Sequence, residues 1–109
     1  MHDTRRHDRL ASLIARLSAE YVARESDTKA LLTITRVVLS EDSKYATIFF
    51  TVYPENSEVD AVAYLTRQAG AVSEYIENHA RLGRVPFLSF KLDLGEKNRR
   101  KIEDISKGK

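Results

Sequence analysis

Two runs of matched length, Leu31–Leu39 and Tyr45–Tyr53, are separated by the turn-forming stretch Ser40-Glu41-Asp42-Ser43. Both runs are rich in β-branched and aromatic residues, which suit a pleated, half-buried surface. Short polar side chains such as Ser and Asp support a reversal of the chain. The pattern predicts an antiparallel hairpin. In the second run Ala46, Ile48, Phe50 and Val52 alternate with Tyr45, Thr47, Phe49, Thr51 and Tyr53. One of these sets must line a core, and the other turns away from it. The first run alternates irregularly and does not assign its faces.

The flanking segments have helical periodicity. From about Thr4 to Arg24, Leu10, Leu13, Ile14, Leu17 and Tyr21 fall on one face at 3.6 residues per turn, with Asp3 or Thr4 placed to cap the start. After the break Ser26-Asp27-Thr28-Lys29 comes the hairpin, which Pro54-Glu55-Asn56 ends. Ser57 is placed to cap a second helix carrying Glu58 and Asp60 in its first turn and Val59, Val62, Ala63 and Leu65 as apolar positions. Ala69-Gly70 interrupts it, because glycine costs about 1 kcal/mol in a helix interior. The pattern resumes through Val72, Tyr75, Ile76 and Leu82, and Gly83 reads as the stop. Arg84–Asp93 is a last strand with Leu88, Phe90 and Leu92 on one face, and Pro86 marks a strand start or a sheet edge. The order helix, strand, strand, helix, kink, helix, strand predicts an α+β two-layer sandwich with a three-stranded sheet. Residues 1–95 form one domain on this reading, and 96–109 a short helical turn followed by a basic, flexible tail.

Composition narrows the function. At 109 residues the chain holds one domain. It has no cysteine, which excludes disulfides, a thiol nucleophile and Cys-ligated metal. The polar start MHDTRRHDRL does not read as a signal peptide, and no apolar run reaches the roughly 18 residues of a membrane span. The expectation is a cytosolic protein. His2, His7 and His79 lack metal-ligand spacing, the four glycines form no phosphate loop, and no Gly-x-Ser-x-Gly motif occurs. The expectation is a non-enzyme with no cofactor and no metal.

Charge is distributed unevenly. Residues 1–16 hold four arginines against two aspartates, and residues 95–109 six basic against three acidic residues, leaving eight basic against eleven acidic residues between them. Cationic ends on an acidic body suit a polyanion partner. Arg5, Arg9, Ser12 and Arg16 share a helix flank that is either a solvated face or a phosphate-facing edge. Arg67 precedes the Ala69-Gly70 interruption, while Arg81 and Arg84 follow the second helical half. Each could serve a helix end, a strand edge or a phosphate. Lys97, Arg99, Arg100 and Lys101 form the densest cluster, able to follow a polyanion without fixed geometry. A glycine between two helices is the device by which KH domains admit a sugar-phosphate backbone, with helix N–H groups beyond it. The alternative here is a steric kink that lets both halves pack. Tyr45, Phe49 and Tyr53 could stack bases, or serve packing alone.

Taken together these segments resemble the bacterial ribosome-binding factor A family over roughly Arg5 to Ile105. The resemblance is carried by Thr33-Ile34-Thr35-Arg36-Val37 with Leu39-Ser40, by Ala46-Thr47-Ile48-Phe49-Phe50, and by Gly70. It continues through Arg81-Leu82-Gly83-Arg84-Val85-Pro86-Phe87-Leu88-Ser89-Phe90 and closes with Asp93 to Ile102. Two positions depart from the family pattern: Gln68 stands where Ala is common, and Gly83 where a second Arg is usual. The resemblance implies a type II KH fold and a monomeric, cytoplasmic, non-catalytic factor associated with growth in the cold. It further implies binding to the immature 30S ribosomal subunit and its 16S rRNA, and assistance in late rRNA maturation including 5′-end processing. RNA would be met by Arg5, Arg9, Arg16, Arg67, Ala69, Gly70, Arg81, Arg84, Lys97, Arg99, Arg100 and Lys101. A KH module for another RNA, or a protein-interaction module using the acidic helix and the aromatics, are the rival expectations.

Overall fold

The computed structural model describes the backbone of residues 4–25 and 31–107, with the side chains of 5–25, 31–99 and 102. Asp3, the break at Ser26-Asp27-Thr28-Lys29 and the side chains of Arg100 and Lys101 lie outside the described residues. The elements run α1 (Thr4–Glu25), β1 (Leu31–Leu39), β2 (Tyr45–Tyr53), a 3-10 turn at Glu55–Ser57, α2 (Glu58–His79), β3 (Phe87–Leu92) and α3 (Leu94–Lys107). β2 is the central strand, antiparallel to β1 and parallel to β3. A parallel neighbour requires a crossover, and α2 supplies it.

The hairpin and the first helix match expectation. Ala46, Ile48, Phe50 and Val52 are buried beneath Ile14, Leu17, Tyr21 and Val22 of α1 and Leu65, Val72 and Ile76 of α2. Both helices therefore cover one face of the sheet. The irregular alternation of β1 has a specific cause. Its register against β2 shifts between Ile34 and Arg36, so Thr35 is an extra residue that resets the period. Leu32 and Ile34 before this bulge, and Val37 and Leu39 after it, thereby all meet the core. Pro86 sits immediately before β3, which is an edge strand.

Four expectations are corrected. First, α2 runs from Glu58 to His79 without interruption at Ala69-Gly70. The glycine costs about 1 kcal/mol, but Ala61, Leu65, Val72 and Ile76 form one buried stripe that continues across it. Each large apolar side chain on that stripe contributes about 1.5–3 kcal/mol, so packing wins. Second, α2 stops at His79 and not at Gly83, with Ala80 already extended. Third, Ser57 makes no side-chain cap bond, and Val59 is 80% exposed because the buried stripe begins at Ala61. Fourth, the segment after Leu92 is a helix of 14 residues where a single turn was expected.

The start of α3 has a clear cause. Asp93 Oδ1 accepts the N–H of Glu96 at 3.0 Å, while the Asp93 carbonyl accepts that of Lys97 at 3.0 Å, which is an N-cap followed by the first helical bond. Lys97 Nζ then reaches Glu58 at 2.9 Å and Glu55 at 3.5 Å, tying α3 to the start of α2.

Gly70 is exposed, and a Cβ placed there would meet nothing within 4 Å. The fold itself thus has no need of glycine at this position. Gly70→Ala is expected to raise stability by about 0.5–1 kcal/mol, read as a higher thermal midpoint. A lower midpoint would mean that the helix must bend at Gly70 to reach its native packing.

Candidate nucleic-acid interface

The turn between β1 and β2 is built by its own polar side chains. Ser43 has a positive φ of 61°. Asp42 accepts the Ser40 hydroxyl at 2.7 Å and the Lys44 N–H at 3.1 Å, and the N–H of Tyr45 donates to Ser40 Oγ at 3.0 Å. The Ser40 hydroxyl first, and then the Lys44 N–H, hold the Asp42 carboxyl below the ordinary carboxylate range. Two other segments meet this turn. His7 Nε2, in the first turns of α1, donates to the Ser40 carbonyl at 2.9 Å, while the N–H of Phe87 donates to the Lys44 carbonyl at 2.8 Å as β3 begins.

One end of the molecule therefore gathers three pieces of chain and their cations. Arg5 and Arg9 are exposed on α1, where with Asp8 and Ser12 they line an open concavity. Arg81 and Arg84 are exposed on the loop between α2 and β3, and Lys44 on the hairpin turn. Among the described residues, the acids at this end include Asp8, Glu41, the internally bonded Asp42 and Glu77 near the end of α2.

The other candidate residues are placed elsewhere. Arg16 lies further along α1 and pairs with Glu20 at 3.0 Å, and Glu20 also accepts the Tyr75 hydroxyl at 3.1 Å. Arg67 is exposed one turn before Gly70, and Ala69 packs against the core. Gln68, the bulky departure beside Gly70, turns inward and accepts a hydrogen bond from the Tyr21 hydroxyl, leaving the helix surface at Gly70 uncluttered. Tyr75 packs edge-on against Tyr21 with centroids 5.7 Å apart and stacks on His79 at 3.9 Å.

At the opposite end Lys97 and Arg99 of the basic cluster are paired within the chain. Lys97 bridges Glu55 and Glu58, and the hydrogen bond from Glu58 leads the influences that raise its ammonium above the usual lysine range. Arg99 pairs with Glu96 on α3. The two basic stretches of the sequence thus occupy opposite poles. One presents exposed arginines, while in the other Lys97 is tied to the start of α2 and the exposed Arg99 pairs within its own helix.

Sequence reading identified the stripe of Tyr45, Phe49 and Tyr53, which lies on the sheet face turned away from α1 and α2, but missed the Arg36, Lys91 and Phe87 side chains that join it. There the guanidinium of Arg36 lies 3.9 Å from the centre of the Phe49 ring, and Phe87 joins Tyr45 through the parallel pairing of β2 with β3. Residue spacing within one strand could not reveal this, because the register between strands decides it. Among the described residues no group of His, Asp or Glu has the composition of a metal site, and no helix is long and apolar enough to cross a membrane.

The comparisons with known proteins bear on family and fold. The family model for ribosome-binding factor A matches residues 6–106. Ribosome-binding factor A of Protochlamydia amoebophila is 30% identical over 104 residues, covering 92% of this chain and 79% of the relative. That of Leifsonia xyli is 32% identical over 108 residues, covering 96% and 76%. The crystal structure of ribosome-binding factor A from Thermus thermophilus superposes with a TM-score of 0.71 at 25% identity, over 79% of this chain and 94% of that one. A Thermus thermophilus ribosome binding factor A model, fitted into the cryo-EM map of a 30S complex, shares the fold with a TM-score of 0.64 at 24% identity, covering 74% of this chain and 88% of that one. A two-layer KH-like sandwich, matched over almost its whole length by one family model and by relatives from separate bacteria, makes this chain a member of the ribosome-binding factor A family.

Proposed function

We propose that this protein docks on the immature 30S ribosomal subunit through phosphates of 16S rRNA and assists late rRNA maturation, including processing of the 5′ end. It does so in the cytoplasm, as a monomer and without catalysing a reaction. The observation that carries this reading is the convergence of exposed Arg5, Arg9, Arg81 and Arg84 at one end of a rigid sandwich. A relative of the same fold is placed in a 30S complex, which supports the same partner. Arginines held on separate elements of a packed core recognise the spacing of phosphates, hence the shape of a folded RNA, without reading bases. Binding one rRNA conformer better than another shifts the population toward it, and this differential affinity is all the assistance requires. Gly70 offers bare helix surface for close approach of the backbone, with Arg67 beside it. Arg16, Arg99, Arg100 and Lys101 are placed to add longer-range attraction.

Neutralising four phosphates predicts that affinity for free small subunits falls by about three log units for each tenfold rise in salt. Titration across salt concentrations checks this, and a flat profile would refute phosphate docking. Co-sedimentation with free small subunits, and not with translating ribosomes, separates this function from that of a KH module for an unrelated RNA.

A further inference from the structure

The sheet face turned away from α1 and α2 has chemistry that docking at the arginine end leaves unused. Tyr45 and Phe87 are register partners on β2 and β3, 60% and 71% exposed, with ring centroids 6.2 Å apart in an edge-on contact. Four residues along β2, Phe49 lies under the Arg36 guanidinium and beside its register partner Lys91, which is exposed. None of the three strands contains an acidic residue. Asp93, just beyond β3, is buried, bonded to Thr35 and 3.4 Å from Arg36 Nε, whose side chain stays half-exposed, while Glu41 and Asp42 of the hairpin turn lie beside Tyr45.

We propose that this half of the sheet binds an unpaired RNA strand, with bases stacked on Tyr45 and Phe87 and phosphates held by Arg36 and Lys91. Exposed aromatic faces accept any base, because every base has a π-face, and the exposed Lys91 ammonium, with the half-exposed Arg36 guanidinium, neutralises the backbone. An apolar protein partner fits less well, since it would strip water from the Lys91 ammonium and offer it no counter-charge. Continuity points the same way. The aromatic pair adjoins Lys44 through the Phe87–Lys44 backbone bond, and Arg84 lies three residues before Phe87. A single strand leaving a docked rRNA fold would pass from the arginine end directly onto the stacking pair. The inference rests on the docking reading for its class of ligand but assigns a separate surface.

The test uses the full chain with a labelled single-stranded uridine dodecamer, and an RNA duplex of equal length as the comparison. Replacing both aromatics, Tyr45→Ala with Phe87→Ala, is expected to weaken dodecamer binding about thirtyfold or more, since each lost base–aromatic stack accounts for about fivefold or more. Duplex affinity should stay within about twofold, because backbone contact does not depend on stacking. Tyr45→Phe keeps the ring and is expected to retain dodecamer binding, and the intrinsic tyrosine fluorescence of the unsubstituted chain is expected to fall on binding. Unchanged dodecamer affinity in the double variant would overturn the proposal. So would self-association of the unsubstituted chain in sedimentation that the double variant abolishes, since the face would then be a protein interface. Failure of the docking reading shows separately, as a salt-insensitive affinity for small subunits.

Discussion

Replacing Arg5, Arg9, Arg81 and Arg84 together with alanine is expected to lower affinity for free small subunits about a thousandfold at 0.1 M salt. Each phosphate left un-neutralised forfeits about 0.7–0.9 log units of counterion release between 1 M and 0.1 M salt, and four such contacts give the total. The salt slope must flatten in parallel, which distinguishes lost phosphate contacts from a damaged fold. All four side chains are exposed, so the thermal midpoint should barely move. Lys97→Ala provides the contrast. Its ammonium is committed to Glu55 and Glu58, so its loss should loosen α3 from α2 and leave subunit affinity nearly intact. A quadruple variant that binds subunits like the unsubstituted chain would show that rRNA is met elsewhere. If the partner were a protein reading the acidic face of α2, the quadruple variant should bind it undiminished.

The second large effect concerns Asp93. This residue is 5% exposed and ties together three elements. Its Oδ2 accepts the Thr35 hydroxyl at the β1 bulge at 2.5 Å and Arg36 Nε at 3.4 Å, its Oδ1 caps α3, and its own N–H donates to the Phe50 carbonyl at 2.7 Å. Asp93→Ala strands the part-buried Thr35 hydroxyl and removes a helix cap, for an expected loss of about 3 kcal/mol. In a domain of this size that lowers the thermal midpoint by roughly 15 °C. The Thr35 hydroxyl above all, then the Glu96 N–H and Arg36, hold the Asp93 carboxyl below its ordinary value, against the opposing effect of burial. Because the folded-state pKa is depressed, the stabilisation is complete above the unfolded carboxylate value of about 3.9 and disappears as pH falls through the lower, folded one. Asp93→Asn should therefore be less stable than the unsubstituted chain at neutral pH and approach it in acid. Denaturant unfolding as a function of pH checks this, and parallel curves for the two proteins would show that the carboxylate is not the acid-labile group. Arg36→Ala should cost far less, since its guanidinium is half-exposed and screened.

What the sequence made legible follows from the range of the interactions involved. The alternation from Tyr45 to Tyr53 and the stripe from Leu10 to Tyr21 are local periodicities, and the structure reproduces both except at Thr51, which is buried on the outer face. The faces of β1 stayed obscure because Thr35 inserts one residue, and its role becomes visible only through Asp93, 58 residues away. Gly70 suggested a break because propensity is local, while the stripe from Leu65 to Val72 that overrides it answers to the sheet. The α3 helix was under-read because its apolar content is low, and what starts it is a cap and two ion pairs to another element. For the candidate site, individual arginines were visible as residues. The gathering of Arg5, Arg9, Arg81 and Arg84 at one pole depends on which elements share an end, a property of topology that linear charge counts average away.

The meeting of α1, the hairpin turn and the α2–β3 connection at one end also separates two kinds of evolutionary freedom. Substitutions in those three stretches can retune the outward electric field without touching the Ile14–Phe50–Leu65 interior, whereas the opposite end, where capping and ion pairing hold α3, tolerates little recharging. Grafting the three stretches from a relative adapted to a different ribosome should transplant its substrate preference onto this scaffold, much as loops are exchanged between antibodies.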